Sequence, residues 1–181
     1  MIYMMLADGF EETEAIATLD VIRRSGAEIK TAGINGTLVR GTHSVKVNAD
    51  IAVEDIDINT VDGIILPGGM PGTTNLMNNE YVNKILDFCV QRGYLVAAIC
   101  AAPMILGEKG LLDGKSAVCF PGFEKHLKGA ILSDKAVAVS GNIITGKGAG
   151  AALEFGAAIV DFVLKKSGEG EKILAGMQYP L

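Results

Sequence analysis

Tryptophan is missing from this chain of 181 residues, and aromatic side chains make up only 6% of it. The core must therefore come from Ile, Val, Leu, Ala and Met, within an apolar share of 49%. Cysteine is scarce too. Cys89, Cys100 and Cys119 are an odd number, which excludes a closed disulfide framework, and their spacing has no paired metal-binding pattern. A reducing compartment, the cytoplasm, is the natural setting for such a chain. Basic residues neither dominate nor cluster: 16 Lys and Arg stand against 21 Asp and Glu, a net charge of −5. That balance argues against a general nucleic-acid-binding surface. The apolar opening, residues 1–7, meets Asp8 and the Glu11-Glu12 pair at once and has no basic flank. It is too short for a signal peptide or a membrane span and reads as a strand. Neither a GxxxxGK[ST] phosphate loop nor a Gly-x-Gly-x-x-Gly after the first strand is present. No internal repeat or low-complexity segment appears.

What is present is a regular alternation within a length that suits one domain, residues 1–181. Unbroken apolar runs predict strands at 1–7, 28–32, 63–66 and 94–99. Helical spacing predicts helices at 11–25, 73–92, 101–109 and 151–166, and alternating character predicts a small hairpin from 37–40 and 45–48. Short strands follow near 116–119, 136–139 and 143–145, and a small terminal segment comes after the linker-like Ser167-Gly168-Glu169-Gly170. Strands that are apolar throughout and alternate with helices imply an α/β fold with a mostly parallel sheet covered on both faces. In such sheets ligands bind beyond the carboxyl ends of the strands. Four loops are thereby singled out: after Ala7, after Leu66, after Ile99 and after Thr145.

The third of these carries Cys100. The run Leu95-Val96-Ala97-Ala98-Ile99-Cys100-Ala101-Ala102-Pro103 puts the sulfur where a buried strand gives way to a helix. Small neighbours suit a tight strand–turn–helix of the kind that exposes hydrolase nucleophiles, and Pro103 suits a first helical turn. A thiol there would face free backbone N–H groups and the positive end of the helix dipole, which favour thiolate. On spacing alone, Cys100 is either such a reactive thiol or an inert core residue. Cys89, spaced with Val82, Ile85 and Leu86, and Cys119, ending an apolar strand, read as packing.

The loop after the first strand contributes a carboxylate. Phe10, Glu14, Ala17 and Val21 are spaced by four, three and four and share one helix face, whereas Glu11 and Glu12 fall in the first turn, where negative charge suits the dipole. Glu14 is therefore either a desolvated carboxyl of raised pKa, able to donate or shuttle a proton, or a partly exposed residue in a local pair. The glycines of Leu66-Pro67-Gly68-Gly69-Met70-Pro71-Gly72 would let backbone amides approach a ligand or an oxyanion, or would merely end a strand. The run Gly146-Lys147-Gly148-Ala149-Gly150 has the same two readings.

Taken together, Ala7-Asp8-Gly9-Phe10-Glu11-Glu12-Thr13-Glu14-Ala15, Leu66-Pro67-Gly68-Gly69, Ala97-Ala98-Ile99-Cys100-Ala101-Ala102-Pro103 and Gly148-Ala149-Gly150-Ala151-Ala152-Leu153-Glu154-Phe155 occur in the order of the ThiJ/PfpI superfamily. The chain resembles most the branch of the parkinsonism-associated protein deglycase and its bacterial relatives, over about residues 1–163. The resemblance implies a flavodoxin-like three-layer sandwich with a cysteine nucleophile elbow, usually a homodimer, without cofactor or metal. By position, Cys100 is similar to the reactive, oxidation-sensitive thiol of the family and Glu14 to the protonated carboxyl beside it. Gly68, Gly69 and Ala101 correspond to the backbone donors around them. The chain departs from the peptidase-like members, which carry His directly after the nucleophile, where Ala101 stands here. It also has Phe120 where several relatives place a His, and Ala149 where relatives often have Pro. His43 and His126 lie in no matching motif and read as surface residues.

The activity that the resemblance implies is that of a cysteine-dependent glyoxalase or deglycase, with a small dicarbonyl or a glycated protein as substrate. The alternative is a redox sensor or chaperone of the oxidative-stress response, without turnover, using the same two residues. A thiamine-pathway role has no phosphate or cofactor motif to support it, and a Cys-His peptidase dyad has no histidine in place.

Overall fold

The computed structural model describes residues 1–180. Its strands are β1 (Ile2–Leu6), β2 (Ile29–Gly33), β3 (Leu38–Arg40), β4 (Lys46–Asn48), β5 (Ile51–Ala52), β6 (Gly63–Leu66), β7 (Leu95–Ile99), β8 (Ser116–Ala117), β9 (Ile131–Leu132), β10 (Val137–Ser140) and β11 (Ile143–Gly146). The helices are α1 (Glu12–Arg24), α2 (Gly72–Asn78), α3 (Glu80–Arg92), α4 (Pro103–Glu108), α5 (Ala152–Leu164) and α6 (Glu169–Gly176). Seven strands form one sheet in the order β10-β11-β7-β6-β1-β2-β5, parallel throughout except for the antiparallel β10–β11 pair at one edge.

The period of two in a strand divides β1 between two cores. Tyr3 and Met5 face one side, where they join Val82, Ile85, Leu86 and Cys89 of α3 and Ile105 of α4. Ile2, Met4 and Leu6 face the other, with Ala15, Leu19, Val21 and Ile22 of α1 and Phe155, Ile159 and Val160 of α5. All five residues of β1 and of β7 are buried, as a sheet covered on both faces requires. This is the three-layer α/β sandwich expected from the alternation.

The predicted hairpin forms, β3 pairing antiparallel with β4. The helix expected over 73–92 is instead two. Asn79 is extended at φ −83°, ψ 127°; its backbone N–H still reaches Leu76 O at 3.2 Å, and its side chain accepts from Val82 N–H at 3.0 Å. One residue thus ends α2 and caps α3. A cap of this kind contributes about 1 kcal/mol, and apolar periodicity passes over it because Leu76, Val82 and Ile85 are buried on both sides of the break. The sheet-edge strand β5 and the strand β9 are two residues each, too short for any period to register. Among the described residues, no helix is long and apolar enough to cross a membrane.

Candidate active site

Parallel pairing brings the four candidate loops to one end of the sheet. Cys100 N–H donates to Gly146 O at 2.9 Å, joining the loop after β7 to the end of β11. Glu11 N–H donates to Gly68 O at 3.0 Å, joining the loop after β1 to that after β6. The loops interlock at glycines. A methyl group on Gly72 would sit 2.6 Å from the Gly9 carbonyl, and one on Gly69, whose φ is +89°, would sit 2.5 Å from Glu11 N.

Cys100 itself has φ +65°, in the left-handed region. For a residue with a Cβ that conformation costs about 1–2 kcal/mol. Surrounding bonds hold it: besides the Gly146 contact, Phe120 N–H donates to Cys100 O at 2.8 Å and Ala102 N–H to Ile99 O at 3.0 Å. Pro103 then occupies the first turn of α4. This is the sharp elbow expected from the run of small residues, with the sulfur half-buried and the Gly69 and Ala101 N–H groups directed to it.

Glu14 arrives from α1. The Glu11 side chain caps that helix by accepting Glu14 N–H at 2.7 Å, so Glu11 precedes the first turn instead of belonging to it. Glu14 is buried, with 1% of its surface exposed. Phe10 and Val21 are fully buried as well, whereas Ala17 is only half-buried, because the core-facing stripe also runs through Ala15, Thr18 and Leu19. One carboxylate oxygen, Oε2, accepts Gly68 N–H at 2.9 Å. The other, Oε1, is buried without a nitrogen or oxygen partner among the described residues. The side chain that interacts with the carboxyl is the Cys100 thiol. A Cβ at position 68 would lie 2.6 Å from both Cys100 Cβ and Glu14 Oε2. Gly68 is the point where sulfur, carboxyl and glycine loop meet. The structure therefore brings Cys100, Glu14, Gly68, Gly69 and Ala101 together.

Burial pushes Glu14 up to about 7, with repulsion from Glu11 adding to it and the bonds to Cys100 and Gly68 opposing. Burial likewise pushes the Cys100 thiol up to about 12, the negative charge of Glu14 acts in the same direction, and the Ala101 and Gly69 N–H groups oppose. That value is the reverse of the lowered one expected from a helix N-terminus: burial is its largest cause, and an ionised Glu14 adds to it. α4 is only six residues long, so its dipole is weak. A protonated Glu14 carries no charge, so protonation of the carboxyl removes its part of the rise and leaves burial as the force that keeps the proton on the sulfur. The pair shares one charge. Cys89, pushed up to about 12 by burial, and Cys119, pushed up to about 11, lie buried in the opposite core.

No histidine is among the groups acting on Cys100. His126 Nδ1 pairs with Glu108 at 2.8 Å, and His43 Nδ1 pairs with Glu12 at 2.8 Å. Among the described residues, Glu11, Glu12 and His43 alone bring three potential ligand atoms within 4.8 Å of one another. The Glu12 carboxylate is already taken, receiving Thr42 Oγ1, His43 N–H and His43 Nδ1 at 3.0, 2.7 and 2.8 Å. Burial works against its charge, but the bonds from His43 and Thr42 outweigh it and hold Glu12 at about 2. The cluster is a latch that ties the turn at 41–45 to α1. Sequence reasoning missed this latch and the Phe120 contact with the elbow, since both join segments distant in the chain.

The DJ-1/PfpI family model matches residues 1–162. Among curated proteins, the chain is 38% identical over 164 residues to Protein DJ-1 homolog B of Arabidopsis thaliana. That match covers 89% of the chain but only 37% of the plant protein, so the chain spans little more than a third of this relative's length. It is 34% identical over 152 residues to the glutathione-independent glyoxalase DJR-1.2 of Caenorhabditis elegans, covering 83% of the chain and 81% of the relative. Among solved structures, oxidized Toxoplasma gondii DJ-1 superposes with a TM-score of 0.93 at 33% identity, over 99% of this chain and 98% of that one.

Proposed function

This chain belongs to the DJ-1/PfpI family, and on that premise we propose that it is a cysteine-dependent glyoxalase or deglycase. It acts on α-oxoaldehydes, free or as the adducts they leave on proteins, in the cytoplasm, as a homodimer and without a cofactor. The observation that carries the reading is the juxtaposition of a left-handed Cys100 with a buried carboxyl whose second oxygen lacks a nitrogen or oxygen partner. A relative bearing the name of a glutathione-independent glyoxalase supports the substrate class.

The reaction closes on itself. The Cys100 sulfur adds to the aldehyde carbon of R–CO–CHO, the aldehyde π pair moves to oxygen, and that oxygen takes the proton held by the pair. The product is a hemithioacetal. Glu14, as carboxylate, removes the proton from that carbon, and the electron pair passes through an enediol. Reprotonation at the neighbouring carbon yields a thioester of a 2-hydroxy acid. Water cleaves the thioester, releasing R–CHOH–COOH and the thiol. One carbon is oxidised and its neighbour reduced, so no outside electron carrier is needed. In this reading the Gly69 and Ala101 N–H groups receive the oxyanions of both addition steps, and a pKa of about 7 suits Glu14 to give and take protons near neutrality.

The test is turnover of methylglyoxal to a hydroxy acid by the wild-type protein beside Cys100→Ser. Activity that vanishes in the variant supports the proposal. A reduced wild-type protein that turns over neither methylglyoxal nor a methylglyoxal-modified peptide overturns it, and a peroxide-dependent change in partner binding would then favour the sensor role.

A further inference from the structure

Beside the elbow lies an open groove of about 470 Å³ that the chemistry above does not use. Phe120, Pro121, Ala136, Gly148, Ala149 and Ala151 form most of its wall, with Lys147 and Glu154 as its charged members. The groove adjoins Cys100 through Phe120, whose N–H binds Cys100 O at 2.8 Å, and through Gly146, whose carbonyl receives Cys100 N–H two residues before Gly148. The Phe120 ring lies over Gly148, where an added Cβ would stand 3.2 Å from ring carbon Cδ2. The ring is nonetheless 48% exposed. The ring belongs to a mostly apolar wall one backbone hydrogen bond from the elbow, a surface that gains by being covered.

From this placement we propose that the groove is a specificity subsite for an apolar substituent R on the α-oxoaldehyde, from propyl to phenyl in size, with Phe120 as its specificity-determining residue. The inference rests on the function proposed above and names the part of the substrate which that reading leaves open. Glyoxal and methylglyoxal are too small to fill a groove of about 470 Å³, whereas a cavity of about 150 Å³ already admits benzene. Each methylene moved from water onto the wall should raise kcat/KM about fourfold. Lys147 and Glu154 leave one charge of each sign in the groove, so a charged R gains no net attraction there.

The experiment compares R = hydrogen, methyl, propyl and phenyl in the wild-type protein, Phe120→Ser and Ala149→Asp. Each wild-type kcat/KM is divided by the variant's value for the same aldehyde, which cancels the aldehyde's own electrophilicity. The quotient should rise at least tenfold from glyoxal to phenylglyoxal for both variants. A flat quotient overturns the proposal. A second readout needs no turnover: alkylation of Cys100 by iodoacetamide and by its N-phenyl derivative, followed by peptide mass mapping. Phe120→Ser should slow the aryl reagent about tenfold relative to the plain one, and equal slowing of both overturns the subsite. If no α-oxoaldehyde is turned over by any form, the glyoxalase reading fails, and the alkylation ratio still decides whether the groove binds apolar groups.

Discussion

Replacing Glu14 by Gln tests whether a buried carboxyl takes up its proton near neutrality. Glu14 has 1% of its surface exposed, and its pKa stands at about 7 against an ordinary value of 4.5. Because the folded value lies above the unfolded one, the stabilisation is full below pH 4.5 and is lost as pH rises through about 7. At 1.36 kcal/mol per pKa unit, the loss between pH 5 and pH 8 is on the order of 2 to 3 kcal/mol. The substituted amide would keep an acceptor for Gly68 N–H and a donor toward the sulfur, but it would not titrate. Thermal unfolding followed by circular dichroism at the two pH values therefore separates this group from all others, which are common to both proteins. The melting temperature of the wild type relative to Glu14→Gln should fall by roughly 5–10 °C from pH 5 to pH 8. Parallel profiles would mean that Glu14 keeps one protonation state throughout, and the shared-proton account of the site would fail.

The same variant should lower dicarbonyl turnover about a hundredfold or more, the usual size of a general acid–base contribution; full turnover in Glu14→Gln would move the proton shuttle to water or another residue. Cys100→Gly should remove all turnover yet raise stability by about 1 kcal/mol, since φ +65° suits glycine and strains cysteine; a drop in melting temperature would show that the sulfur's packing outweighs the strain. In Gly68→Ala the new methyl would collide with Cys100 Cβ and Glu14 Oε2, both 2.6 Å away, so turnover should fall at least tenfold with the fold retained by circular dichroism. Timed alkylation with mass mapping should modify Cys100 well before Cys89 and Cys119, which are buried; faster labelling of either would place the reactive sulfur elsewhere.

The sequence by itself determined the α/β sandwich, because strands buried on both faces must be apolar throughout and their helices must carry an apolar stripe. It determined the elbow as well: Ala98, Ala101 and Ala102 leave room for a tight turn, and Pro103 starts a helix there. Four loops could be named in advance because parallel strands deliver all their carboxyl ends to one side. Spacing and composition did not reach what stands next to the sulfur: the family resemblance pointed to Glu14, and the tertiary structure supplied the physical reason. Glu14 and Cys100 are far apart in the chain, and the contact between them depends on the register β1–β6–β7 and on Gly68 having no Cβ. The charge state of the thiol was beyond local reading for the same reason. A helix N-terminus favours thiolate, but burial and the opposing carboxylate push the thiol up to about 12 while Glu14 is ionised. The Asn79 break and the Glu12 latch were hidden too, since a cap and a long-range carboxylate contact leave no trace in hydrophobic periodicity.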